Sequence, residues 1–159
     1  MKTERTISQP AYPGGLDHGA MWPILGYNIA LAAIPTSKLF TQYIGRPFKL
    51  KQVEFTIITL LSSNADVTAK QLSLALGVPA PNLTVILDRL EARDLLVRTR
   101  SESDRRVQYI SLTRAGATMA RKATACVEPM EAEACLHLTP TESRTLFQLL
   151  KKVAIRGRS

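Results

Sequence analysis

The sequence predicts a mainly α fold carrying one small β-hairpin, and three observations predict it. Apolar residues recur at helical spacing over most of the chain. Near the middle, two short helical patterns meet at a Gly-containing turn, and a hairpin pattern follows directly. Basic residues concentrate on that hairpin and just beyond it. Residues 95–125 hold seven Lys/Arg against two acids, which is five of the eight net positive charges of the 159-residue chain.

Taken in order, residues 1–19 hold Pro10, Pro13, Gly14, Gly15 and Gly19 with little apolar content and read as a flexible arm. Residues 20–43 turn apolar at helical spacing through Ile24, Ile29, Leu31, Leu39 and Tyr43. Pro35 falls inside this run, removes a donor and crowds the preceding turn, so two helical pieces or a kink are expected there. Gly45-Arg46-Pro47 is expected to end the element. A helix over residues 51–62 places positions 53, 57, 60 and 61 on one face.

After a polar turn at residues 63–66, Thr68 and Gln71 have the spacing of a reciprocal capping box. The helix they start carries Leu72, Ala75 and Leu76 inward and stops at Gly77, a residue suited to left-handed backbone. Pro81 opens the next helix, residues 81–93, with Leu83, Ile86, Leu87 and Leu90 on one face and Asn82, Val85 and Arg89 on another. Residues 95–100 and 107–112 read as two strands around a polar turn. A helix-turn-helix followed by a basic-tipped hairpin is a winged helix-turn-helix. Thr113 can cap a long helix over residues 114–136, with an apolar stripe through Met119, Ala123, Val127, Met130 and Ala134 and a bend at Pro129. Thr139, Pro140 and Glu142 make a strong start for the last helix, whose apolar face is Leu146, Leu149, Leu150 and Val153.

Composition narrows the function. No apolar run approaches the roughly 18 residues of a membrane span, and residues 1–13 lack the pattern of a secretory signal, so the expectation is a cytoplasmic protein with no membrane partner. Cys126 and Cys135 stand nine residues apart in the predicted long helix, on opposite sides and roughly 13 Å apart along the axis, too far to pair. His18 and His137 are distant, and no Cys/His/Asp cluster has metal spacing. Neither a nucleophile–base arrangement nor a Gly-rich phosphate loop is found, so no enzyme, cofactor or metal is expected. The net charge of +8 suits a polyanionic partner.

The stretch from Leu72 to Gly116 resembles the MarR family of transcription regulators. The matching residues are Gln71-Leu72, Leu76-Gly77-Val78, Leu83, Arg89-Leu90-Glu91, Leu95-Leu96-Val97-Arg98, Asp104-Arg105-Arg106 and Leu112-Thr113 with Gly116. The resemblance implies a homodimer on a pseudo-palindromic operator in double-stranded DNA, one recognition helix in the major groove and one wing in the minor groove. It also implies a single domain over residues 20–159, with the winged helix at about 50–113 and dimerisation helices at about 20–45 and 114–156. The chain departs from the family at Asp94, where relatives carry Gly at φ > 0; Asp is among the few alternatives that tolerate such backbone. It departs again at Val85, where relatives carry a polar reader. Val can touch a thymine methyl but cannot hydrogen-bond a base edge.

Within this resemblance the DNA-binding candidates are Lys70, Gln71, Pro81, Asn82, Thr84, Val85, Arg89, Arg98, Asp104, Arg105 and Arg106. Arg105 and Arg106 suit a narrow minor groove, whose negative potential draws planar cations. Asp104 would repel phosphate if alone, so its expected role is to brace the wing. Two roles are open to Arg98, a pair with Asp104 or a phosphate contact, and Asp88 reads as a salt-bridge or solvent residue. Family members often bind an aromatic or phenolic acid, and the residues to wall such a site are His18, Trp22, Tyr27, Phe40, Tyr43 and Arg46. The expected function is a repressor released by a small aromatic acid or its thioester. The alternatives are a regulator without an effector and a winged-helix protein-interaction module.

Overall fold

The computed structural model describes residues 15–100 and 107–156. The chain forms two units, one up to Pro35 and one from Thr36 onward. The first holds a 3-10 turn, Gly19–Met21, and the N-terminal part of helix α1, Leu25–Phe40. Asn28 fastens the start of α1 by donating from Nδ2 to the carbonyls of Trp22 and Ile24, at 2.8 and 2.9 Å.

Helix α1 runs through Pro35 without interruption, so the two pieces expected there do not form. Proline removes one rung of the ladder, and here the rest of the helix holds without it. The irregularity comes later, as a π-helical turn over Thr41–Gly45 that leads into a short α2, Arg46–Phe48. Pro47 therefore does not end the element. It lies in the first turn of α2, where a missing N–H costs little, and the chain stops instead at Lys49, whose φ is +52°.

In the second unit, helix α3, Gln52–Ser63, is followed by a two-residue strand β1, Val67–Thr68, which the sequence pattern is too short to reveal. Helix α4, Ala69–Leu76, starts with the expected capping box. The Thr68 hydroxyl accepts from the N–H of Gln71 at 3.3 Å, and Gln71 Oε1 accepts from the N–H of Thr68 at 2.8 Å. Gly77 ends α4 at φ +63°. Helix α5, Ala80–Ala92, has Pro81 in its first turn. Strands β2, Leu96–Arg100, and β3, Gln108–Leu112, pair antiparallel with Leu96 opposite Leu112 and Arg100 opposite Gln108. β1 adds to the other side of β3 through Val67 and Ile110, giving the order β1-β3-β2.

Leu50, Ile57, Ile58, Leu61, Val67, Leu72, Leu83, Leu87, Leu90, Leu95, Leu96, Ile110 and Ala120 form the core of this module. A second cluster gathers Phe40, Ile44 and Ala123, with Phe55, Val127 and Met130 against them.

Helix α6, Arg114–Thr124, packs on α3 and begins at Thr113, whose hydroxyl accepts from the N–H of Gly116 at 2.9 Å. The long helix expected to reach residue 136 is broken. It stops at Thr124 and resumes as α7, Val127–Ala134. Pro129 lacks the N–H that would bond the carbonyl of residue 125 and its ring crowds that carbonyl, so the break falls one turn upstream. Cys126 and Cys135 consequently cap the two ends of α7 instead of sharing one helix, and both are free thiols.

Helix α8, Pro140–Arg156, opens on a second capping box, with Glu142 Oε2 accepting the Thr139 N–H at 2.7 Å. That backbone bond, then the Thr139 hydroxyl, hold the Glu142 carboxyl below its ordinary pKa. Leu146, Phe147, Leu149, Leu150 and Val153 of α8 are exposed. No helix among the described residues is long and apolar enough to cross a membrane.

Gly116 sets the tightest joint. A Cβ added there would lie 1.8 Å from the carbonyl oxygen of Leu95, which already accepts the N–H of Thr113 at 3.2 Å. Neither backbone can withdraw without losing the joint between α6 and β2. Gly116→Ala is expected to destabilise the protein by about 3 kcal/mol or more, read as a lower denaturant midpoint.

Candidate nucleic-acid interface

The rotation of α5 about its own axis is fixed by its apolar face. Leu83, Leu87 and Leu90 are at most 2% exposed, so Asn82, Val85 and Arg89, spaced three and four apart, point outward along one stripe. Val85 is 57% exposed on this stripe. Thr84 is outward too, but its hydroxyl donates back to the carbonyl of Ala80 at 3.0 Å. Pro81 is exposed in the first turn. On α4, Lys70 is exposed, while the Oε1 of Gln71 is engaged by both the N–H and the hydroxyl of Thr68.

The ion pairs reassign several of the cations. Arg98 reaches from β2 to the acids of α5. Its Nη2 donates to Asp88 Oδ1 at 2.6 Å and its Nη1 lies 3.3 Å from Glu91 Oε2, so it clasps the hairpin to α5. Residues 88 and 91, three apart on α5, lie on one side of that helix and meet Arg98 there. Asp88 is thus a salt-bridge residue, as expected. Arg89 donates from Nη1 to Glu54 Oε1 at 3.1 Å. Arg93 donates to the carbonyls of Lys49 and Phe48, at 2.9 and 3.1 Å, with Glu54 Oε2 3.9 Å away. Asp104, Arg105 and Arg106 lie outside the described residues.

Glu54 and Arg93 were not among the sequence candidates. Glu54 had a legible signal: it shares the inward stripe of α3 with Ile57, Ile58 and Leu61, a place where an acid needs a partner. Arg93 had none, because its bonds run to the backbone of a distant segment. Asp94, by contrast, takes the left-handed backbone expected of it, φ +55°, and its carbonyl accepts from the Thr113 hydroxyl at 2.5 Å.

The candidate effector residues divide between the two units. In the first, His18 stacks on Trp22 with ring centroids 5.1 Å apart, and the Tyr27 hydroxyl is hydrogen-bonded to His18 Nδ1. In the second, Phe40 is a core residue, 8% exposed and packed on Phe55, and it borders a recess together with Arg46. The Tyr43 hydroxyl donates to Glu133 Oε2 at 2.7 Å, and this bond raises its pKa. Arg46 lines an open recess with Ser37, Lys38, Thr41 and Gln42.

A helix with a buried leucine face and a clear outward stripe, set beside an antiparallel hairpin, defines a winged helix-turn-helix, a class of DNA-binding module. Residues 48–107 match the model of the MarR family. The transcriptional repressor CouR, solved bound to a 23-mer DNA duplex, is 30% identical, with a TM-score of 0.81 over 87% of this chain and 98% of its own. A mutant MarR from E. coli complexed with operator DNA is 28% identical, with a TM-score of 0.75 over 84% of this chain and 96% of that one. The transcriptional repressor MprA of Escherichia coli (strain K12) is 36% identical over 106 residues, 63% of this chain and 57% of its own length. The chain belongs to the MarR family of DNA-binding transcription regulators.

The clasp and the phosphate-contact roles of Arg98 make different predictions. Arg98→Ala is expected to cost no more than about 1 kcal/mol, since Asp88 and Glu91 are largely solvated, and to speed amide exchange in β2. The salt slope of DNA binding should stay unchanged, whereas loss of a phosphate contact would lower it by about one.

Proposed function

We propose that the protein is a homodimeric transcriptional repressor that binds a pseudo-palindromic operator in double-stranded DNA and is released from it by a small aromatic acid or its thioester. The observation that carries this reading is the outward stripe of α5, clear of the core, next to the hairpin that begins the most basic window of the chain. Asn82 and Thr84 supply polar contacts near the N-terminus of α5, Pro81 shapes its first turn, and Lys70 with Gln71 supports phosphates from α4. Val85 reads by apolar contact, which suits a thymine methyl. Arg105 and Arg106 are assigned to the minor groove on the sequence alone, with Asp104 as the brace of that turn.

Dimerisation is supported by α8, where six large apolar side chains, Leu146, Phe147, Leu149, Leu150, Val153 and Ile155, are exposed along a 17-residue helix. A soluble monomer rarely leaves such a run uncovered, and a second copy covers it symmetrically. The two α5 helices then enter successive major grooves about 34 Å apart. The repressor sign is supported by the likeness to CouR, itself a repressor solved on DNA. For the effector, the support is the His18–Trp22–Tyr27 group of the first unit, an aromatic surface that includes an imidazole. A ligand acts by favouring a spacing of the two α5 helices that misfits the grooves.

The test is a shift assay on the intergenic DNA beside the protein's own coding region, over a salt series. The expected result is two chains per duplex, affinity falling steeply with salt, loss of binding in Arg105→Ala/Arg106→Ala, and release by an aromatic acid from a screened set. Salt-insensitive or absent binding would contradict the reading of α5 and the wing, and an effect of no aromatic acid or thioester would remove the effector.

A further inference from the structure

Glu54 is the buried charge of the second unit among the described residues, 2% exposed on the inward face of α3. A carboxylate so far from water is strongly destabilising unless its oxygens are paired. Oε2 accepts the N–H of Lys51 at 2.9 Å, at the start of α3. Oε1 accepts from Arg89 Nη1 at 3.1 Å. Arg93 approaches Oε2 at 3.9 Å while its fork serves the carbonyls of Phe48 and Lys49. Of the two arginines, Arg93 is thus committed to protein backbone, and Arg89 is not.

Arg89 is the unusual partner. It gives Glu54 one of its five N–H groups and makes no other hydrogen bond to a described residue, and 43% of its side chain is exposed. It stands four residues after Val85 and seven after Asn82, in the last full turn of the outward stripe of α5. One edge of the guanidinium is therefore tethered inside the protein while the side chain opens onto the face presented to DNA.

We propose that Glu54 is a positioning residue for DNA binding, holding Arg89 by one nitrogen so that its remaining N–H groups stand ready for a backbone phosphate. The inference rests on α5 being the DNA-reading helix. An untethered Arg must be ordered when it meets phosphate, and an Arg already held avoids much of that loss. The planar fork matters because it can serve a carboxylate and a phosphate together, which an ammonium presents only as a point charge. The sign of the effect is diagnostic. Charge counting says that removing a carboxylate near the interface strengthens DNA binding; a buttress says that it weakens it, and only while Arg89 is present.

The experiment measures anisotropy of a labelled random-sequence duplex over a salt series, since phosphate contacts need no operator. The variants are Glu54→Gln, Arg89→Ala, Arg89→Lys and the Glu54→Gln/Arg89→Ala pair, with circular dichroism confirming each fold. Glu54→Gln is expected to weaken binding roughly three- to tenfold at an unchanged salt slope. Arg89→Ala should weaken binding and lower the slope by about one per chain, and adding Glu54→Gln to it should change nothing further. Arg89→Lys, which keeps the charge and does not depend on the fold tolerating Gln at position 54, should bind nearly as weakly as Arg89→Ala. Tighter or unchanged binding by Glu54→Gln, the same loss with and without Arg89, or wild-type affinity in Arg89→Lys would each overturn the buttress. A wild-type protein with no salt-dependent affinity for any duplex would instead overturn the reading of α5, and the buttress with it.

Discussion

Burial of three leucines on one side of α5 is the constraint from which the rest of the functional surface follows. Leu83, Leu87 and Leu90 fill the space between α4, β2 and α3, and at native packing density none of them can rotate outward without opening a cavity. Truncating any one to Ala would leave a void costing about 2–5 kcal/mol. With that face fixed, the helical repeat leaves no choice about which residues face outward. Asn82, Val85 and Arg89 face out because Leu83, Leu87 and Leu90 face in. The joint beyond α5 is equally determined: Asp94 turns the chain through left-handed backbone, Thr113 binds its carbonyl, and Gly116 lets α6 lie against Leu95.

Polar contacts then decide which cations remain for DNA. Three arginines near α5 are matched by three acids, Glu54 with Arg89 and Arg93, and Asp88 with Glu91 around Arg98. These pairs differ in kind. The Arg98 clasp lies in solvent, where such a pair contributes little beyond geometry. Glu54 is buried, and there a missing partner is far more costly than a present one is stabilising. The basic character of residues 95–125 is therefore an upper bound on the positive surface near α5, because Arg98 is already spoken for.

Local signals were legible and distant ones were not. The caps at Thr68, Thr113 and Thr139, the left-handed stop at Gly77 and the two strands of the hairpin each rest on local sequence pattern, and that pattern revealed them; the left-handed backbone of Asp94 was legible only through the family resemblance. The paired halves of α5 were legible for the same reason. β1 was missed because two residues show no alternation, and it exists only because β3 offers it an edge. Pro35 misled because the cost of one lost rung was set against helix geometry without the neighbouring turns that hold it, whereas Pro129 broke its helix a turn earlier than a simple bend would. Glu54, Arg93 and the α5 partners of Arg98 depend on contacts across seven to forty-five positions, which no periodicity encodes. Among the effector candidates, spacing could not tell the core residue Phe40 from its exposed neighbours.

The central claim is that the duplex meets the stripe of α5 that the leucine face turns outward. Titrating isotope-labelled protein with a short duplex and following its amide and side-chain resonances tests this residue by residue. Asn82, Val85 and Arg89 are expected to shift or broaden together, with Lys70 and the β2–β3 hairpin beside them, while Leu146 and Leu150 of α8 stay unmoved. Perturbations centred on α8, or spread evenly over the surface with the α5 stripe silent, would contradict it.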